Sequence, residues 1–255
     1  MVWEVLVRLE ISNIINKHAY QPAIILGHAP SLDAIKDDLL KYKEAGYILM
    51  GVNQWFDLYP TVPNYWTMAS TVDTPMNYMK VINTCKLDVL YADSVDLVDK
   101  EWLDTVCEND YLAFDQRHFK GKECSVCNTF GCSKYLNTRR LTLQEELMKY
   151  TKSNFHYGSG STGCLHACAF AILMGCDPIY ITGIKLDYRV GYANRLNPDV
   201  SFSPDVKETD FDELKDSVLI DFQTIKNSAA NINRNIYSLA EDCLPGIFER
   251  KDLDI

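Results

Sequence analysis

No apolar run in this sequence of 255 residues reaches the roughly 20 residues that a membrane-spanning helix needs. The first turns of the chain carry Glu4, Arg8 and Glu10, so they lack the unbroken apolar core of a signal peptide. A cytoplasmic location is the expectation. Positive charge is scarce: 25 Lys and Arg stand against 35 Asp and Glu, a net charge of −10. Broad binding of a nucleic-acid backbone needs clustered cations and is disfavoured; a local basic pocket for one nucleotide is still allowed. Internal repeats are absent. The nine cysteines are odd in number and do not space out as a disulfide framework, which fits a reducing compartment. No D-x-D stands beside a predicted strand. Asp210–Asp212 falls in a polar loop before a helix, and Asp252–Asp254 at the C-terminal end. That argues against a diphosphate bridged to the protein by a metal.

What is present reads as alternating strands and helices. Helical spacing of Val2, Val5, Leu6 and Leu9 predicts an N-terminal helix that extends loosely to residue 18. Pro22 precedes a strand over 23–26, and Ser31 can cap a helix over 31–45, with Leu32, Ile35, Leu39 and Leu40 on one face. Strands follow over 47–52, 65–69 and 88–92, with a helix around 75–83. Residues 100–140 are less regular and read as an insertion or small lid. A short helix is predicted over 141–150 and an almost wholly apolar one over 164–174, which the small-residue loop 157–163 feeds. A buried strand over 178–182, a Pro-, Asn- and Asp-rich loop over 191–212, a helix over 216–232, a last strand over 235–239 and a closing segment over 244–248 complete the chain. The order implies an α/β fold: a Rossmann-like parallel sheet flanked by helices, in a single domain over 1–255. Ligands of such sheets sit at the carboxyl ends of the strands.

The residues at that edge carry a resemblance. The turn Gly27-His28-Ala29-Pro30-Ser31-Leu32, the turn Asn53-Gln54-Trp55-Phe56, Thr162-Gly163 leading into Cys168–Gly175, the strand Ile179–Ile184 and the run Asn235–Leu239 before Leu244-Pro245-Gly246 occur in one order and spacing. In these features the chain resembles glycosyltransferase family 42, the bacterial sialyltransferases, and the related archaeal hydroxymethylpterin diphosphokinases. The resemblance implies a metal-independent glycosyltransferase. It would use a nucleotide-activated sugar as donor and a hydroxyl on a glycan or modified base as acceptor, with no cofactor besides the donor. Nucleotide contacts carried over are Gly27, His28, Ala29, Ser31, Asn53, Gln54, Thr162, Gly163 and Tyr192. The sialyltransferases use a His in the C-terminal half as general base, whereas the last His here is His166. Ala69 and Ser70 replace an Asn-Pro pair, and Lys185 follows Gly183-Ile184 where the family has Asp. These departures point away from sialic acid itself and toward another specificity.

Each residue also has a plainer reading. His28 is either a turn residue bound to backbone or a donor and base at the ligand. Ser31 is a helix cap that also opens an anion site. Asn53 and Gln54 form an Asx turn or read a base edge. Asp73 and Asp187 are loop carboxylates or acceptor-activating bases. Lys185 belongs to a surface ion pair or stabilises the leaving phosphate. Trp55, Phe56, Trp66 and Tyr180 are expected in the core. Cys124, Cys127 and Cys132 with His118 match part of a zinc knuckle, but only one pair has the short gap, so free thiols are the preferred reading. A diphosphokinase holding magnesium on Asp73 and Asp187, and a nucleotide-binding module without catalysis, are the alternatives to transfer. A homo-oligomer is left open.

Overall fold

The computed structural model describes residues 10–53, 55, 61–69, 87–92, 111–114, 143–153, 163–185 and 208–253. Within them eight strands form one sheet: β1 (Ala23–Leu26), β2 (Ile48–Val52), β3 (Tyr65–Ala69), β4 (Asp88–Ala92), β5 (Tyr111–Phe114), β6 (Ile179–Thr182), β7 (Ile236–Ser238) and β8 (Glu249–Arg250). The spatial order is β5-β4-β3-β2-β1-β6-β7-β8. Every neighbouring pair is parallel. The chain runs outward from β1 to β5, then returns to the other flank of β1 with β6. The order therefore reverses between β1 and β6, the kind of point where open α/β sheets leave a crevice for ligand.

The α-helices among the described residues are α1 (Ile11–Ile14), α2 (Leu39–Glu44), α3 (Leu143–Thr151), α4 (Gly163–Leu173) and α5 (Glu208–Ala230). All 11 residues of α4 are buried. A helix apolar on every side needs cover on every side. β1, β2 and β3 supply it below, and α3 and α5 above. Ile25, Met50, Val52, Phe170, Ile172, Ile181 and Phe222 meet in that layer, each side chain contributing about 1.5–3 kcal/mol by leaving water. The C-terminal carbonyls of α4 are capped from the N-terminal strap. Asn16, His18 and Tyr20 donate their N–H groups to Leu173, Met174 and Gly175 at 2.9 Å each. Gly175 takes the left-handed φ of +78° that closes the helix. His18 continues to the start of β3, where its Nε2 lies 2.7 Å from the Tyr65 hydroxyl.

Three sequence expectations change. The helix expected over 31–45 is two turns of 3-10 helix, Pro30–Ala34 and Lys36–Asp38, before the short α2. Ser31 is not its cap. Ala29 occupies that position and has no polar side chain to cap with, while the Ser31 hydroxyl accepts from Gly183 N–H. No strand was expected over 100–140, yet β5 extends the sheet within it. The loop expected over 191–212 ends earlier, because α5 already begins at Glu208. The two-residue β8 had no sequence signal. Trp55, Trp66 and Tyr180 lie in the core as expected, and Phe56 falls outside the described residues.

Candidate functional site

The site grows from two glycines. β1 ends at Leu26 and β6 at Thr182, side by side in register. The next residues, Gly27 and Gly183, bring their main chains into contact. A Cβ on Gly27 would stand 2.2 Å from the Gly183 carbonyl oxygen, and one on Gly183 would stand 2.6 Å from the Gly27 carbonyl carbon. Gly183 also needs its φ of +72°. Hydrogen bonds zip the two turns together. Gly27 N–H donates to Thr182 O at 2.9 Å and Ala29 N–H to Gly183 O at 2.7 Å. Gly183 N–H donates to Ser31 Oγ at 3.2 Å. The Thr182 hydroxyl donates to Ser31 O at 3.4 Å. The Ala29 amide is thus spent within the protein, while Ser31 accepts and keeps its hydroxyl proton to donate.

On the other flank the first turn is tied to β2. His28 Nε2 lies 2.7 Å from the Val52 carbonyl. A carbonyl only accepts, so Nε2 carries the proton and any base chemistry of this ring falls to Nδ1. Of the two readings of His28, the backbone-bound one is met at Nε2.

Val52 leads to Asn53, which adopts a φ of +40°, a conformation that asparagine tolerates better than other side chains. Its backbone is held from below: Asn53 N–H donates to Thr67 O at 2.9 Å, and Trp66 Nε1 donates to Asn53 O at 2.7 Å. Gly163, the first residue of α4, abuts this turn. A Cβ there would stand 3.2 Å from Val52 Cβ and 3.3 Å from both amide atoms of the Asn53 side chain. The absence of a side chain at residue 163 lets the amide of Asn53 sit against the N-terminus of a buried helix. That end carries N–H groups without intrahelical partners and a partial positive charge, the features that attract anions.

Lys185 follows Gly183 and Ile184 out of β6. Its Nζ lies 3.3 Å from Asp242 Oδ2, with the two side chains 32% and 48% exposed. The ion pair of its plainer reading exists. Asp242 belongs to the turn after β7 and was not singled out in the sequence; only its place after the run Asn235–Leu239 pointed to that edge. Nor was Thr67, and Gly183 was noted only as part of the segment that leads to Lys185. Thr67 is completely buried, and its hydroxyl has no hydrogen-bond partner.

The structure brings together Gly27, His28, Ala29, Ser31, Asn53, Gly163 and Lys185 at the carboxyl edge of β1, β2 and β6. Gln54, Asp73, Thr162, Asp187, Tyr192, His118, Cys124, Cys127 and Cys132 lie outside the described residues. Among the described residues no three His, Cys, Asp or Glu side chains assemble as a metal site, and no helix is long and apolar enough to cross a membrane. Cys164, Cys168, Cys176 and Cys243 are buried free thiols. Burial pushes Cys176 up to about 12 and Cys243 up to about 11, and it raises Cys164 and Cys168 as well. None of these four supplies a thiolate nucleophile at neutral pH.

No protein-family model matches the chain, and no curated protein matches it significantly. Among solved structures, the sialyltransferase CST-II in complex with a trisaccharide acceptor and CMP aligns at 16% identity and a TM-score of 0.48, over 92% of this chain and 89% of that one. The monofunctional alpha-2,3-sialyltransferase Cst-I from Campylobacter jejuni aligns at 18% identity and a TM-score of 0.51, over 97% of this chain and 83% of that one. The likeness is to sialyltransferases and lends no support to a diphosphokinase. At this identity it establishes architecture: the chain has the fold of Cst-I.

Proposed function

We propose that the chain is a glycosyltransferase that binds a nucleotide-activated sugar at the β1–β2–β6 edge and passes the sugar to a hydroxyl acceptor without a metal. The observation that carries this reading is the meeting of three elements at the point where strand order reverses. They are the Gly27–Ser31 turn, the Asn53 turn and the N-terminus of α4. The fold shared with a sialyltransferase accords with it. In this reading Asn53 and Gln54 hold the nucleoside. Thr162 and the Gly163 amide take the phosphate, and Ser31 donates its hydroxyl proton to the same group. Gly27 and Ala29 shape the floor, and Tyr192 covers the donor.

In transfer, the bond between the anomeric carbon and the phosphate oxygen breaks, and its electron pair leaves with the phosphate. The acceptor oxygen forms the new bond and gives up its proton to Asp73, Asp187 or Nδ1 of His28. Lys185 neutralises the charge that develops on the leaving phosphate. The acceptor is a glycan or another hydroxyl compound.

Thermal denaturation with CMP, UMP, UDP, GDP and their sugar conjugates tests the binding claim. A ligand at a hundred times its Kd adds about 2.7 kcal/mol of stability. A melting point unmoved by every nucleotide would sink the proposal.

A further inference from the structure

The turn after β7 folds back over the end of β6 and is fastened there. The Ser238 hydroxyl is shared between the carbonyls of Ala240 at 2.7 Å and Cys243 at 3.1 Å. Ala240 N–H returns a bond to Ser238 Oγ at 3.3 Å. Cys243 Sγ points at Ile181 O at 3.8 Å, and Leu244 is completely buried. The backbone on both sides of Asp242 is therefore fixed to the sheet. Its neighbour Glu241 pairs with Arg250 at 3.2 Å, which leaves Asp242 to face Lys185.

We propose that Asp242 is a positioning residue, which holds the Lys185 ammonium at the edge of the crevice so that it meets the phosphate of a bound nucleotide. This rests on the function proposed above. A lysine on its flexible stem gives up much rotamer freedom when it fixes on an anion. A carboxylate on a rigid turn removes part of that freedom beforehand. The same carboxylate also repels the phosphate, so the two effects have opposite signs. If Asp242 acted only through its charge, its removal would tighten phosphate binding. If it positions Lys185, its removal weakens binding although the site becomes more positive.

The test is calorimetric titration of the full chain with CMP, UMP, UDP and GDP, each beside its phosphate-free nucleoside. Asp242→Ala is expected to weaken the tightest nucleotide on the order of fivefold, the freedom of one lysine side chain. Asp242→Glu, which restores the carboxylate, stays within about twofold of wild type. Lys185→Met weakens binding at least as much as Asp242→Ala, and adding Asp242→Ala to it weakens binding no further, as coupled residues require. Nucleoside binding is unchanged throughout. The pair is partly exposed, and such pairs add little to folding, so the variants keep their melting points; Asp242→Asn repeats the comparison with the side-chain shape retained. Unchanged or tighter nucleotide binding in Asp242→Ala overturns the proposal, as does an equal loss for nucleoside and nucleotide. A wild-type chain that binds none of the four nucleotides overturns the functional reading itself, and this inference with it.

Discussion

An alanine at residue 27 would force its methyl group to within 2.2 Å of the Gly183 oxygen and 2.7 Å of the Gly183 carbon. Non-bonded heavy atoms rest at about 3.5–4.0 Å. The obstacle is backbone, so no rotamer change removes it. β1 and β6 must part by about 1.3–1.8 Å at their carboxyl ends to reach ordinary contact. That movement stretches the bonds from Ala29 to Gly183 and from Gly27 to Thr182, now 2.7 and 2.9 Å. Overpacking costs about 1–3 kcal/mol, and each weakened hydrogen bond about 1 kcal/mol. The sum is roughly 3–5 kcal/mol, a large part of a typical domain's total stability.

Gly183→Ala meets the same contact from the other side and adds about 1–2 kcal/mol for its left-handed backbone. Once the first methyl has parted the strands, the second has room. The double variant should therefore lose less than the two single losses added together. Gly46 is the control: its φ is +91°, yet nothing lies within 4 Å of an added Cβ. Gly46→Ala separates backbone strain from collision and should cost about 1–2 kcal/mol. Urea unfolding measures all four variants, and nucleotide titration under native conditions follows the site. If Gly27→Ala lies within about 1 kcal/mol of wild type, below the cost of overpacking, the backbone contact is not a constraint and the account of the site's floor is wrong.

Thr67→Val should stabilise the chain by about 1–2 kcal/mol, because it removes a buried hydroxyl with no partner at nearly constant volume; a lower urea midpoint would contradict this. Asn53→Gly keeps the φ of +40° and both backbone bonds. It should leave stability within about 1 kcal/mol while weakening nucleotide binding about tenfold. Unchanged affinity would remove Asn53 from the site. Alkaline pH should unfold the protein through its buried thiols. Their pKa values are raised in the fold, so the contribution is complete below the unfolded value of about 8.5. It is lost as pH climbs through the folded values, about 11 for Cys243 and about 12 for Cys176. Each thiol steepens the fall by about 1.4 kcal/mol per pH unit over that window. A Cys176→Ala, Cys243→Ala double variant should show a shallower decline above pH 9, measured by urea midpoints; parallel curves would refute the assignment.

What the sequence disclosed and what it hid divide along a physical line. β1, β2 and β6 are short apolar runs, and α4 is apolar except for His166. Burial on both sides writes itself into composition, so these elements are legible from residue types alone. The turns that follow them were legible as positions at an edge, because Gly27, Asn53 and Gly163 punctuate apolar segments. Their contents were not, because each depends on partners far along the chain. Ser31 looks like a cap until Gly183, 152 residues later, claims its hydroxyl. His28 offers both ring nitrogens to a ligand until the Val52 carbonyl accepts a hydrogen bond from its Nε2–H. Asp242 gave no local signal, since its significance lies in Lys185. β8 is a two-residue Glu-Arg strand and carries no apolar pattern at all, while β5 is an apolar Tyr-Leu-Ala-Phe run too short to stand out. The contact between Gly27 and Gly183 escaped the reading in the same way. A glycine required by another glycine's carbonyl leaves no trace in hydrophobic periodicity, yet the approach of β1 to β6 at their carboxyl ends is set there.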